Sequence, residues 1–429
     1  MEKLVASRLS TYLELHSILY PNQFGFRSGY SISHSLISIT ERNKNTLDKR
    51  NYGCGVFIDL KKAFDTVNHE ILLNKLEHYG IRDISLSWFK SYLRNRKQFV
   101  CINGTNSGLR ELTCGVPQGS VLSPLLFLLY INDLPNISSK LKFYLFADDT
   151  NIYCESDDIK HLELIMNREL IKLHEWLCIN RLSLNISKTN FVIFCPINKP
   201  KIPITIQISK KAIDEVKYVK YLGILIDSQF SFKFHIEELT KKISRSIGVL
   251  YKVRPFVSTK LLTDLYYAII YPFLLYGILI WGNACQTSLT PLHMLQKRFV
   301  RMATFNDHPQ LVPGPLVHAS PLFHKLNILT IFDIFKLQLG ILIYDSNNNG
   351  PFQRIITYTR ANEIHSHSTR YAHRNSFFKN YSRTTRYGLK SLQVEGTHLW
   401  SSIPLNVREA LSKNVFKNLY KNNLISKYI

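Results

Sequence analysis

A chain of 429 residues is too long for one compact core and points to two or three domains. Apolar residues at 45% and charged residues at 20% exclude a disordered polyelectrolyte, and seven cysteines without a CxxC pair argue against a disulfide framework or zinc module, leaving a reducing compartment as the default. The balance of 54 Lys+Arg against 31 Asp+Glu, a net +23, favours a polyanionic partner, nucleic acid ahead of an anionic membrane surface.

The N-terminal stretch MEKLVASRLSTYLE holds no apolar core of signal-peptide length. GCGVFIDL (53–60) reads as a buried strand that ends in a carboxylate, Asp59. HEILLNKLEHYG (69–80) reads as a helix closing at Gly80, and ISLSWFKSYLRNR (84–96) as another. QFVCING and RELTCGV suggest a pair of strands around the turn NGTNSG. LSPLLFLLYINDL (122–134) fits a buried helix. KFYLFADDTNIYC (142–154) gives two strand-like runs that meet at Asp148 and Asp149, and IKHLELIMNRELIKLHEWLCIN (159–180) is an amphipathic helix pattern.

Residues 228–283 read as largely helical. Ile236, Leu239, Ile243, Ile247 and Leu250 step by three and four along one face, with Lys241, Lys242 and Arg245 on the others. The uncharged run LYYAIIYPFLLYGILIW (265–281) is at the short edge for a membrane span and is interrupted by Pro272 and Gly277, so it reads as one or two buried helices. Residues 284–429 look less regular and carry 18 Lys+Arg against 6 Asp+Glu. In 364–390 six Lys/Arg with no acid alternate with Tyr371, Phe377, Phe378, Tyr381 and Tyr387, a pattern that neutralises phosphates and stacks on bases, or that forms a basic loop without a defined ligand. His365, His367 and His373 match no zinc spacing.

Two aspartates at a hairpin tip are common, because Asp favours turns. Asp59, at the end of an apolar strand, changes the weighting. Brought beside Asp148 and Asp149 it makes three like charges that need a cation to coexist, and hard Mg²⁺ with oxygen ligands fits. Two such ions roughly 3.5–4 Å apart activate an attacking hydroxyl and stabilise a leaving pyrophosphate. The pattern therefore suggests nucleotidyl transfer to a 3′-OH.

These stretches, in this order, resemble the reverse transcriptase of non-LTR retrotransposons, most closely the jockey and CR1 type. LYPNQFGFRSGYSISHSL (19–36) is similar to the fingers segment that precedes the palm, VFIDLKKAFDTVNH (56–69) to motif A, GVPQGSVLSPLLFLLYINDL (115–134) to motif B, FADDT (146–150) to motif C, WLCINRLSLNISKT (176–189) to motif D and KYLGILID (220–227) to the primer grip. The resemblance implies an α+β right-hand polymerase with an antiparallel palm sheet: partial fingers and palm in 1–227, a helical thumb in 228–283, and a basic C-terminal extension in 284–429.

It also implies roles. Asp59, Asp148 and Asp149 would be the catalytic carboxylates and metal ligands for two Mg²⁺ ions, with Mn²⁺ as an alternative. Phe64 would exclude ribonucleotides at the sugar 2′ position. Gln118 would contact the incoming nucleotide and the template region, Gly119 would allow close approach of the backbone, and Lys188 would donate a proton to pyrophosphate. Tyr221, Leu222 and Gly223 would hold the primer end. Implied partners are an RNA template, a DNA primer or target and dNTPs, without a membrane, and the implied setting is an intracellular ribonucleoprotein of cytoplasm and nucleus. The family usually carries an endonuclease domain before the polymerase, and none fits here, so the sequence reads as a 5′-truncated copy. A catalytically inactive RNA-binding remnant is the alternative, and a polymerase of the group II intron or telomerase type is a third reading, against which the missing maturase or RNA-binding modules argue.

Overall fold

The computed structural model describes residues 1–305, 318–348, 350–360, 377–378 and 381–429. Tyr371, His365, His367 and His373, with most of the basic segment 364–390, lie outside the described residues. The chain divides into two compact units: Met1–Ser35 with Arg50–Val219, and Leu36–Lys49 with Lys220–Ile429.

The first unit begins with α1 (Glu2–Leu15) and the opening turn of α2 (Ile32–Asp48), followed by β1 (Tyr52–Ile58), α3 (His69–His78) and α4 (Asp83–Leu93). A ribbon of short strands comes next: β2 (Lys97–Gln98), β3 (Cys101–Ile102), β4 (Thr105–Asn106) and β5 (Arg110–Glu111). Then come α5 (Ser123–Ile131), β6 (Lys142–Phe146), β7 (Asp149–Ser156), α6 (Ile159–Ile179), β8 (Asn190–Phe194), β9 (Gln207–Ile208), β10 (Lys211–Ala212) and β11 (Asp214–Glu215).

The core sheet has the order β11-β8-β1-β7-β6. Its pairings are antiparallel except for β11, which joins β8 in parallel. β1 is the central strand and every one of its seven residues is buried, which is why it reads as a continuous apolar run instead of an alternating one. Gly53 is required there by space: a Cβ would lie 2.5 Å from the Tyr153 hydroxyl. α5 is buried on nearly all sides and opens with Pro124, whose missing N–H costs nothing at a helix start. In α6 the N-cap Asp158 accepts hydrogen bonds from the Lys160 and His161 amides, and its face of Leu162, Met166, Leu170, Leu173 and Leu177 is buried.

In the second unit, β12 (Tyr218–Tyr221, whose first residues belong to the first unit) pairs with β13 (Ile224–Asp227). The helices are α7 (Lys233–Val253), α8 (Thr259–Leu265), α9 (Tyr271–Leu275), α10 (Ile278–Trp281), α11 (Gln286–Thr304), α12 (Ala319–Lys325), α13 (Ile331–Asn347), α14 (Leu392–Ser402), α15 (Leu405–Arg408) and α16 (Lys413–Ile425). On α7 all five apolar positions Ile236, Leu239, Ile243, Ile247 and Leu250 are buried, each contributing about 1.5–3 kcal/mol as an upper bound, while Lys241, Lys242 and Arg245 are exposed. The apolar run 265–281 is cut into pieces by a π-helical turn at Tyr266–Ile270, by Pro272 and by Gly277 at φ +63°; no described helix is long and apolar enough to cross a membrane.

The described residues after 284 differ from the irregular stretch expected, because they are mostly helical. α13 is buried on almost every side, so it offers no polar–apolar period to read, and α11 carries Pro291 inside it. Described residues of this region are also bonded into their unit. Asp48, at the end of α2, accepts hydrogen bonds from the Arg383 and Thr384 amides, Glu41 accepts from the Leu392 amide at 2.9 Å, and Lys44 donates to the Lys390 carbonyl at 2.8 Å. Trp400 and Ile403, from the LWSSIP stretch, are buried core residues.

Candidate active site

β1 ends at Ile58, paired with Thr150 of β7. One further step of the antiparallel register sets Asp59 opposite Asp149. Phe146 of β6 pairs with Asp149, so Ala147 and Asp148 alone form the hairpin loop. Such a two-residue loop favours glycine at its first central position, where φ is positive. Ala147 adopts φ +56° instead, at a cost of about 1–2 kcal/mol.

A segment far upstream holds this loop in place. Phe24 N–H donates to the Leu145 carbonyl at 2.8 Å, and Leu145 N–H donates to the Asn22 carbonyl at 3.0 Å. Gln23 is buried, and its side-chain carbonyl accepts from the Gly25 and Ala147 amides at 3.0 and 3.3 Å. The strained residue therefore has its N–H satisfied from behind.

Both hairpin aspartates are exposed as residues, yet the Asp149 carboxyl is crowded. Burial lifts its pKa above the ordinary carboxylate value, and the Asp148 and Asp59 charges add to the rise. The Asp149 carboxyl thus feels the charges of the other two. Among the described residues, however, no three His, Cys, Asp or Glu side chains are gathered tightly enough to hold a metal ion between them. The donor chemistry is all oxygen and mutually repulsive, which suits a hard divalent cation.

Asp59 has partners that the sequence did not reveal. Asn185 donates its side-chain amide to Asp59 Oδ2 at 2.7 Å, and its backbone N–H donates to the Asp59 carbonyl at 2.8 Å. The Asp59 amide donates to Thr189 Oγ1 at 3.3 Å. No spacing rule singles out Asn185, which lies 126 residues from its partner. Lys188 sits in the same turn, its amide bonded to the Asn185 carbonyl at 3.2 Å, and its side chain is exposed.

Phe64 is half-buried, stacked on Phe127 with centroids 4.4 Å apart and edge-on to Phe26 at 6.4 Å. Its carbonyl accepts from the Val116 amide at 2.9 Å, which ties the segment after β1 to the one before α5. Gln118 donates to Asp65 Oδ1 at 2.8 Å, a second partner that sequence reading missed. Gly119 has φ +87° with open space where a Cβ would stand, so its requirement is conformational. Tyr221, Leu222 and Gly223 belong to the second unit, where Leu222 and Gly223 form the tight β12–β13 turn at φ +44° and +81°, and Tyr276 donates to the Leu222 carbonyl at 2.6 Å.

A family model described as reverse transcriptase (RNA-dependent DNA polymerase) matches residues 1–226. The chain belongs to the reverse transcriptase family. Membership fits the α+β fold and implies, in general terms, dependence on a divalent metal. The chain is 31% identical over 348 residues to the probable RNA-directed DNA polymerase from transposon BS of Drosophila melanogaster, covering 77% of this chain and 37% of that protein. It is 28% identical over 351 residues to the one from transposon X-element of the same organism, covering 77% and 36%, and 27% identical over 312 residues to the polymerase from mobile element jockey, covering 70% and 34%. The resemblance to non-LTR retrotransposon polymerases therefore holds, and the chain spans little more than a third of the length of these relatives. Among solved structures it is similar to apo telomerase from Candida tropicalis, with 12% identity and a TM-score of 0.41 over 78% of this chain and 54% of that one, a likeness too loose to carry an argument.

Proposed function

We propose that this chain is an RNA-directed DNA polymerase of the non-LTR retrotransposon type, extending a DNA primer on an RNA template with dNTPs. The observation that carries the reading is the register that puts Asp59 opposite Asp149 with Asp148 beside it, together with the raised pKa of Asp149. In this reading 1–227 form fingers and palm, 228–283 the thumb and 284–429 a basic extension, and the protein works as a ribonucleoprotein in cytoplasm and nucleus.

The reaction joins the primer 3′-oxygen to the α-phosphorus of a dNTP and breaks the bond to the β-phosphate, releasing pyrophosphate. Asp59, Asp148 and Asp149 would hold two Mg²⁺ ions, which when bound supply positive charge for the nucleophile and the leaving group. The protein's own side chains do the rest. Asn185 fixes the rotamer of Asp59 through its bond to Oδ2. Phe64, braced by Phe127, is a rigid wall beside the sugar. Gln118, oriented by Asp65, and Gly119 face the nucleotide, and Lys188 is free to deliver a proton to pyrophosphate. Tyr221, Leu222 and Gly223 hold the primer end.

The deciding experiment is dTTP incorporation on oligo(dT)-primed poly(rA) with Mg²⁺, run beside Asp148→Ala. Incorporation well above the variant is expected. Incorporation equal to the variant, with RNA binding retained, would mean a non-catalytic RNA-binding remnant. Asn185→Leu removes a hydrogen bond to a charged group worth about 1.5–3 kcal/mol, so the melting temperature should fall by several degrees, and the rate measured well below it should fall roughly tenfold or more as Asp59 loses its orientation. Phe64→Val should admit ribonucleotides, which competition between dTTP and UTP reads directly; unchanged sugar selection would remove Phe64 from that role.

A further inference from the structure

The ribbon between α4 and α5 has no structural reason to look as it does. β2 pairs with β5, and β3 with β4, around the Asn103–Gly104 turn with φ +50° and +82°. The register changes by one between the two pairs, from Lys97↔Glu111 to Cys101↔Asn106, which marks a bulge near Gly108. Every residue from Lys97 to Glu111 is exposed. A two-stranded ribbon with neither face packed is marginal by itself, yet this one displays Phe99, Val100, Ile102 and Leu109 at 52–67% exposure. Around them stand Arg94, Arg96, Lys97 and Arg110, against the single acid Glu111. Among the described residues none of these four cations is paired with a carboxylate; Arg96 lies over the Tyr92 ring at 5.2 Å.

Unpaired cations interleaved with an exposed ring and aliphatic side chains suit a strand that offers phosphates and base faces at once. A second copy of this chain is a poor occupant, because each copy carries a net +23 and the ribbon would meet like charge. The root of the ribbon says where such a strand would run. Its descending leg is fastened to the segment after β1: Cys114 bridges Asn68, Gly115 N–H donates to the Val67 carbonyl at 2.7 Å, and Val116 N–H to the Phe64 carbonyl at 2.9 Å. Two residues later comes Gln118, bonded to Asp65. A strand held on the ribbon is therefore delivered next to Phe64 and Gln118.

We propose that the ribbon 97–111 is a binding arm for single-stranded nucleic acid, the unpaired template close to the candidate active site. It rests on the polymerase reading only for the name of the strand, because binding can be measured without catalysis. The test uses the full chain, a fluorescent single-stranded RNA 20-mer and no dNTP, with anisotropy recorded across a salt series. Arg94→Gln/Lys97→Gln/Arg110→Gln should reduce the slope of log Kd against log salt by about 2, at roughly 0.7 for each phosphate no longer neutralised. Phe99→Ser, which removes a stacking ring, should weaken binding about tenfold with the salt slope unchanged. All four side chains are exposed, so thermal melts of the variants should match the parent. Parental slope and affinity in both variants would overturn the proposal. So would unchanged RNA binding with a shift in sedimentation, which would make the ribbon a protein-binding surface. If the chain binds RNA through the ribbon but incorporates no dTTP, the arm stands and the polymerase reading falls.

Discussion

Replacing Asp148 by Asn is expected to lower dTTP incorporation by roughly 10³-fold or more while slightly raising the melting temperature. The loss is of the size felt when a group that stabilises transition-state charge is removed. The gain follows from the same charges. Asp149 is held above its ordinary pKa by burial and by Asp148 and Asp59, so the folded chain resists ionising it. A carboxyl whose folded pKa is raised contributes stability that is fully present below its unfolded pKa and is lost as pH rises through the folded value. At neutral pH the folded state therefore carries a repulsion that the Asn variant relieves. Because the hairpin is exposed, solvent screening leaves only a fraction of a kcal/mol, or about 1 °C in melting temperature. The sign is the informative part: the variant's advantage should appear at pH 7 and shrink as pH falls to about 4. A melting temperature lowered at pH 7, or a rate within tenfold of the parent, would refute the account of these carboxylates as a site that is unstable for the sake of its chemistry.

The parts of this site that rest on local order could be read from the sequence. GCGVFID announces a buried strand with a carboxylate at its end, and KFYLFADDTNIYC announces two strands around a turn, because side-chain period and turn chemistry act within a few residues. Asn185 and Gln23 could not be read. Each is an ordinary polar residue in a loop, and its importance comes from a partner more than 120 positions away: Asp59 for Asn185 and Ala147 for Gln23. The C-terminal helices were hidden for a different reason. α13 is largely apolar because it is enclosed on almost every side, with Lys336 exposed, and a helix so enclosed loses most of the periodicity by which helices are recognised. The ribbon was visible only as a strand pair; its lack of any packed face is a tertiary fact.

Gly25→Ala should lower both stability and rate without touching a charged group. Gly25 does not have a positive φ, so its need for glycine is purely one of space. A Cβ there would stand 2.5 Å from the Ala147 nitrogen and 3.0 Å from the Phe146 carbonyl carbon. Both are backbone atoms and cannot rotate away. They are also the atoms that shape the Asp148 loop, which is already strained at Ala147 and is held by the Gln23 bond to that same nitrogen. The methyl must push the 22–25 segment off β6 or push the loop outward, and either shift moves Asp148 and Asp149 relative to Asp59. Overpacking of this kind costs about 1–3 kcal/mol, or roughly 2–10 °C in melting temperature. A displacement near 1 Å in a reacting constellation costs about 10²-fold in rate. Gly248→Ala is the matched control: it lies in α7 with nothing within 4 Å of its Cβ position, and helix propensity favours alanine by about 1 kcal/mol. Its melting temperature should hold or rise and its rate should stay at the parental value. If both alanines behave alike, the Gln23–Gly25 segment is not what positions the aspartates. If Gly25→Ala alone loses rate, and loses more than its stability deficit explains at 20 °C, the carboxylates depend on a brace set 122 residues upstream of the loop they serve.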